Sequence, residues 1–364
     1  MSYPLSELRN DMLSLLNYAE KFRSADRDTE QYTSLHTDYI DKLSSAGLAI
    51  VKLMIAYKKS KEPNKENDQR VISYGDLGTL FTDLLNDRLE IGKTKRVQVI
   101  MQNFSHFNNL EIQITGTPTG NRMNIAILDA ADSIVYQAVK ESLFNAKEKF
   151  SFIDKIFWTS EAIQYDEITC FMFAIKLLSA SSKEKSFHQL LSKIAATSGE
   201  VRWSDFPAQF LKLCQSKSLL DKLLLKAYYQ AYSSAFCECQ DLDPIVEKFK
   251  NYGLSDETIE SAYALSLDQI NHYANQPPIP IDFFDNPLNR KGQNLMTYVS
   301  QHTMFRPGSD KPLNRASLDM FEHYAAILKR ALNELTDEEL SDILDEKKPF
   351  PMEKADTPPA TPQL

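Results

Sequence analysis

The sequence predicts an α+β fold: a small central sheet flanked by helices, followed by a mostly helical region. Three observations predict it. Between residues 96 and 131 the apolar spacing is alternating, in "RVQVIMQNF" (96–104), "LEIQI" (110–114) and "MNIAILDAA" (123–131). Helical spacing brackets that stretch, at 36–60 before it and 170–180 after it. The chain has 364 residues, 43% hydrophobic and 25% charged, which is enough to bury a full core as one large domain or two modest ones.

Each element has its own signal. Residues 1–35 are polar and helix-prone, and "HTDYIDKLSSAGLAIVKLMIAYKKS" (36–60) is the first core helix, ending in a basic turn. The charged "KSKEPNKENDQR" (59–70) reads as a loop, and Ser73 and Asp76 are candidate caps for a second helix over 73–87. "TGTPTGNR" (115–122) is the turn of a hairpin between the strands around 110–114 and 123–131. Residues 134–149 are helical, "FSFIDKIFWTS" (150–160) begins as another strand, and 170–180 is the next helix. Amphipathic helices fill about 183–275, a proline-rich connector spans 275–287, and 314–335 is a last strong helix. The acidic, then proline-rich tail from 336 reads as disordered. This gives four segments: an extension (1–35), a core (36–182), a helical region (183–335) and a tail (336–364).

Composition excludes several classes. A formal net charge of −9 argues against general nucleic-acid binding, so a polyanion needs a local basic pocket. No run approaches the roughly 18 apolar residues of a membrane helix, and the N-terminus lacks the cationic start of a secretory signal. Four cysteines (170, 214, 237 and 239) are too few for a disulfide framework, and the C-x-C at 237–239 lacks a second ligand pair, which speaks against zinc. A reducing cytosol fits that usage.

One cysteine stands where chemistry is possible. Cys170 lies between the polar "AIQYDEIT" and the apolar "FMFAIKLLSA", at the first turn of a predicted helix. A thiol attacks as the thiolate, which a helix N-terminus and a nearby imidazole both favour. Of six histidines, His106 starts a predicted strand with its ring on the face of Leu110 and Ile112, and the paired strand ends in Asp129. A carboxylate there would hold the second ring nitrogen and fix the tautomer. Gln164, six residues before Cys170, is a candidate oxyanion donor. Taken singly, each has a plainer reading: Cys170 as a buried core residue, His106 as a strand-end residue, Asp129 as a turn residue. The weight lies in the ordered set.

That order, a histidine, an acid ending the next strand, then Gln-x5-Cys opening a helix, resembles the clan of cysteine proteases that includes the ubiquitin-like-protein proteases. It resembles more closely the YopJ family of bacterial effector acetyltransferases. "GLAIVKLMIAYKKSKEPNKENDQRVISYGDLGTLFTDLLND", "RVQVIMQN", "IAILDAADS" and "NRKGQNLMTYVSQHTMFRPGSDKPLNRASLDMFEHYAAILKRAL" match the family's layout, so the likeness runs from about residue 40 to 335. Departures are a His106–Asp129 spacing about four residues longer than the family's layout leads one to expect, with the surplus at the hairpin turn, and Phe171 where a smaller residue is often found. A shifted alignment sets Asn108 in the histidine's place and implies an inactive relative.

The resemblance implies a cysteine-protease-like core and an acetyltransferase using acetyl-CoA, with Cys170 as nucleophile, His106 as base, Asp129 orienting it and Gln164 at the oxyanion. Acceptors would be serine, threonine or lysine of host proteins such as signalling kinases, after delivery into the host cytoplasm by a bacterial secretion system. It implies activation by inositol hexakisphosphate between the 183–335 region and the core, with Arg290, Lys291, Arg306, Lys311, Arg315, Lys329 and Arg330 as the basic residues of the matching segment. The Glu-rich tail reads first as an ordinary solvated tail, and it resembles type IV translocation signals. Two other functions stay open: a protease or deubiquitinase-like hydrolase of the same clan, and an interaction module with a decayed site.

Overall fold

The alternating stretch forms the middle of a six-stranded sheet. Its strands are β1 (Asp68–Ser73), β2 (Thr94–Asn103), β3 (His106–Thr117), β4 (Gly120–Leu128), β5 (Ile153–Ser160) and β6 (Glu200–Arg202), and they lie side by side in chain order. β1–β2 and β4–β5 are parallel, whereas β2–β3 and β3–β4 are antiparallel. The computed structural model describes residues 4–24, 30–62, 68–131, 133–164, 168–195, 199–215, 217–275, 303–306, 309–314 and 316–352.

The surplus residues of the β3–β4 turn lengthen the hairpin instead of looping out. Thr115 faces Arg122 and Gly116 faces Asn121, which leaves Pro118 and Thr119 at the tip and Gly120 at φ +115°. Gly116 has no room for a side chain, because a Cβ would stand 2.2 Å from the Glu90 carbonyl oxygen. β1 occupies the end of the charged stretch that reads as a loop. Its apolar content is only Val71 and Ile72, and Val71 pairs with Ile100 of β2.

The helices of this part are α1 (Leu5–Ser24), α2 (Glu30–Lys61), α3 (Leu77–Asn86), α4 (Ile134–Lys149), α5 (Cys170–Ser181) and α6 (Phe187–Ile194). Ser73 and Asp76 bond to each other (Oγ–Oδ2 2.7 Å) across a single 3₁₀ turn that precedes α3. One sheet face carries Val97, Val99, Met101, Leu110, Ile112 and Ile125, and it packs on Leu80 and Leu84 of α3 and on Tyr136, Val139 and Leu143 of α4. Burying each such side chain contributes about 1.5–3 kcal/mol. α5 packs with β2, β3 and α2. It is buried on nearly every side, through Cys170, Phe171, Phe173, Ala174, Leu177 and Leu178, as expected of a helix that is apolar almost all round.

By contacts the chain divides into two units. The first is residues 1–162, 166–201 and 317–364, and the second is 163–165 and 202–316. The second unit holds α7 (Lys217–Cys237), α8 (Asp243–Asn251), α9 (Asp256–Glu260), α10 (Leu267–Ala274) and a hairpin of β7 (Thr303–Arg306) with β8 (Ser309–Asn314). Tyr228, Tyr232, Phe249 and Tyr263 form its aromatic cluster. α11 (Ala316–Glu334) and α12 (Asp337–Leu344) follow. Where composition predicts disorder from 336, α12 stands instead. Thr336 caps it reciprocally with Glu339, and Leu340, Ile343 and Leu344 repeat at helical spacing and are buried, as is Phe350. Residues 353–364 lie outside the described residues.

Candidate active site

Two hairpin geometries bring the histidine and the acid together. β2 and β3 join through a two-residue turn, Phe104–Ser105, with Asn103 facing His106 and Phe104 in the left-handed region at φ 54°. His106 is therefore the first residue of β3. Asn109 pairs with Leu128, so continuing the register sets Asn108 opposite Asp129 and His106 diagonal to it on the same face. An even number of extra residues in the hairpin leaves that face unchanged. The result is a bond of 2.5 Å between His106 Nε2 and Asp129 Oδ2.

Asp129 is fully enclosed and held from several sides. Its Oδ1 accepts the Ala131 N–H (2.7 Å), Asn108 Nδ2 donates to its Oδ2 (3.3 Å), and its backbone N–H bonds the Thr159 hydroxyl (3.0 Å). With Nε2 committed to the carboxylate, Nδ1 is the ring nitrogen left for the thiol. Cys170 is buried at the first turn of α5, its Sγ 3.5 Å from the Ser105 carbonyl oxygen. Burial alone would push the His106 pKa down. The Asp129 charge and hydrogen bond, together with the hydrogen bond and charge of Cys170, outweigh it and raise the ring to about 10. The imidazolium form is thus favoured at neutral pH.

The loop and helix carrying the thiol are anchored at both ends. Tyr39 of α2 donates its hydroxyl to the Ile168 carbonyl just before α5. At the other end Arg96 of β2 caps α5, with Nη2 on the Ser181 carbonyl (2.9 Å) and Nη1 on that of Glu184 (2.8 Å). The same guanidinium pairs with the buried Glu111 of β3 at 2.8 Å, and Gln98 and Ser181 also bond that carboxylate. Burial raises the Glu111 pKa, and Arg96 opposes it. The first N–H groups of α5 have no partner within the helix and point toward its N-terminal end, where the sulfur lies.

His106, Asp129 and Cys170 are thus in one place. Gln164 is buried and belongs, with Ile163 and Tyr165, to the second unit, where the Gln215 N–H bonds the Ile163 carbonyl (2.7 Å). Of the basic residues expected at a polyanion, Arg290, Lys291 and Arg315 lie outside the described residues, and Arg306 and Lys311 stand on β7 and β8, described in backbone alone. Lys329 and Arg330 are half-buried on α11, and Lys329 pairs with Glu20 at 3.4 Å. A different basic site went unread. A cavity of about 270 Å³ is lined by Lys58 and Lys59 of α2, Lys176 of α5, Lys183 just beyond α5, and Tyr324 of α11, with Glu62 its acid. Its sequence signals were the "KKSK" turn and Lys176, the lysine inside an otherwise apolar helix.

No described helix is long and apolar enough to cross a membrane, and no metal-ligating cluster occurs among the described residues. No protein-family model and no curated protein sequence matches the chain. Among solved structures, AvrA delL154 with IP6 and CoA is 12% identical, with a TM-score of 0.46, covering 94% of this chain and 99% of that one. HopZ1a in complex with IP6 is 12% identical at a TM-score of 0.44, covering 96% and 100%. HopZ1a in complex with IP6 and CoA is 13% identical at 0.43, covering 94% and 99%. Likeness at that level carries no conclusion about chemistry. The structure itself supplies an α+β core in which a bonded imidazole–carboxylate pair stands at one end of the sheet, next to the turn that the buried Cys170 thiol touches.

Proposed function

We propose that this chain is an acyltransferase: an effector acetyltransferase that moves acetyl from acetyl-CoA, through a Cys170 thioester, to serine, threonine or lysine of host signalling proteins. The observation that carries the reading is His106, bonded to buried Asp129 at 2.5 Å, at the end of the turn whose Ser105 carbonyl lies 3.5 Å from the Cys170 sulfur. The sequence likeness around these residues to the YopJ family supplies the acyl donor, the acceptors and the setting.

In the first half-reaction the Cys170 sulfur attacks the thioester carbonyl, and His106 carries the proton. The carbon–sulfur bond to CoA breaks, and the departing CoA sulfur takes the proton from His106. Asp129 keeps the ring oriented throughout. The oxyanion is stabilised by backbone N–H groups opening α5, and by Gln164 on the strength of its place six residues ahead of the cysteine. In the second half, neutral His106 removes the proton of the acceptor hydroxyl or amine, which takes the acetyl group and restores the sulfur. Inositol hexakisphosphate is the proposed activator. Lys58, Lys59, Lys176 and Lys183, with Glu62 beside them and Glu346 paired to Lys59 at 3.1 Å, are a donor set that fits a dense anion, and a ligand there would tie α2, α5 and α11 together. Arg290, Lys291, Arg306, Lys311, Arg315, Lys329 and Arg330 remain the sequence's own candidates for it.

Radiolabelled acetyl-CoA, with and without inositol hexakisphosphate, tests the reading. Label is expected on Cys170, increased by the inositol phosphate, and absent in Cys170→Ala. No covalent label under either condition would overturn it, and cleavage of ubiquitin-like substrates instead would assign the site to hydrolysis.

A further inference from the structure

β3 carries two adjacent, almost fully buried asparagines, Asn108 (1% exposed) and Asn109 (2% exposed). Because side chains alternate along a strand, they point to opposite faces of the sheet. Asn108 Nδ2 reaches Asp129 Oδ2 at 3.3 Å, the same oxygen that bonds His106. Asn109 Nδ2 reaches the carbonyl of Ala174 at 2.9 Å, one turn along α5 from Cys170. Both partners are acceptors, so the amide nitrogen must face them, which fixes how each side chain lies. The remaining amide oxygens, Oδ1 of each, have no hydrogen-bond partner among the described residues. A strand interior gains nothing from two half-satisfied amides; leucine would fill either site without the orphaned oxygen. Such a departure from good packing is expected where a site is being held in place.

We propose that Asn108 and Asn109 are positioning residues working through the two faces of one strand: Asn108 fixes the Asp129 carboxylate that orients His106, and Asn109 fixes the helix that carries Cys170. The inference rests on the thiol–imidazole pairing of the proposed function. It adds that the alignment is set by this dipeptide. Asn108 shares the carboxylate oxygen with the ring and limits how that oxygen can turn. Asn109 gives the Ala174 carbonyl a second donor beside its own helix bond, and so ties α5 to β3 above the level at which Arg96 ties its far end.

The test is the pH dependence of Cys170 alkylation by iodoacetamide, followed on the full chain by mass spectrometry of the Cys170 peptide, beside thermal unfolding. The parent and His106→Ala define the two limits. Asn108→Leu and Asn109→Leu are expected to unfold at or above the parent's temperature while their labelling profiles move toward that of His106→Ala by about one pH unit. Alanine variants at the same positions form a second set, removing the donor without adding bulk. A profile that superimposes on the parent's, with only the unfolding temperature changed, would make the residue concerned a structural one and overturn its assignment. Identical profiles for parent and His106→Ala would remove the pairing itself, and the inference with it.

Discussion

At the scale of single residues, Asp129 decides what His106 can do. The ring is nearly buried, an environment that alone would keep it neutral, and it is the neighbouring carboxylate that chiefly reverses this and lifts it to about 10. Asp129→Asn keeps size and most hydrogen bonds but removes the charge. The variant should show the His106 titration, followed by NMR, falling well below that value, and acetyl transfer reduced on the order of 10³-fold or more. An unchanged titration would mean that the ring's charge has another source. The pairing was legible beforehand because strand alternation puts residues on one face whatever the even length of the turn between them. The lysine cavity was not legible. Lys58 and Lys59 come from one stretch of the sequence and Lys176 and Lys183 from another far along the chain, and each alone is an ordinary helix or turn lysine.

At the scale of elements, α5 depends on a buried ion pair at its far end. Arg96 neutralises Glu111 and caps the last carbonyls of the helix at once. Arg96→Ala would leave a carboxylate that is 1% exposed without its partner, at a cost of about 3–5 kcal/mol, read as a lower urea midpoint. Joint replacement of Arg96 by Met and Glu111 by Leu should recover much of the loss, since apolar packing substitutes for buried pairs more readily than half a pair does. Failure to recover would show that capping α5, not neutralising Glu111, is the guanidinium's larger contribution. Elements with a strong period were readable in the sequence: α5, the β3–β4 hairpin and α11. β1 and β6 were not, since six residues with two adjacent apolar positions and three residues with one carry no period to detect. α12 was missed for another reason. Its acidic composition resembles a solvated tail, and only the spacing of Leu340, Ile343 and Leu344 betrays a buried face.

At the scale of the whole molecule, two histidines pull stability in opposite directions with pH. His188 of α6 is enclosed against Phe157 and Phe187, and burial, reinforced by the Arg96 charge, pushes it down from 6.5 to about 3. Its folded form therefore refuses a proton that the unfolded chain accepts. The contribution is whole above about pH 6.5 and is lost as pH falls toward 3. His106 behaves in reverse. Its folded form holds a proton that the unfolded chain gives up, so its contribution is whole below about 6.5 and is lost as pH rises through about 10. These two groups together place a stability maximum near the ordinary histidine value, with losses on either side. His188→Phe, which keeps the aromatic contacts and cannot titrate, should flatten the acid side alone. Between about pH 7 and pH 5 the parent should lose about 2 kcal/mol more than the variant, measured from urea unfolding at each pH. Parallel losses in the two proteins would mean that His188 is already protonated in the folded state. In that case the charge beside Arg96 would have to be balanced by Glu111, the buried carboxylate that also anchors the nucleophile's helix.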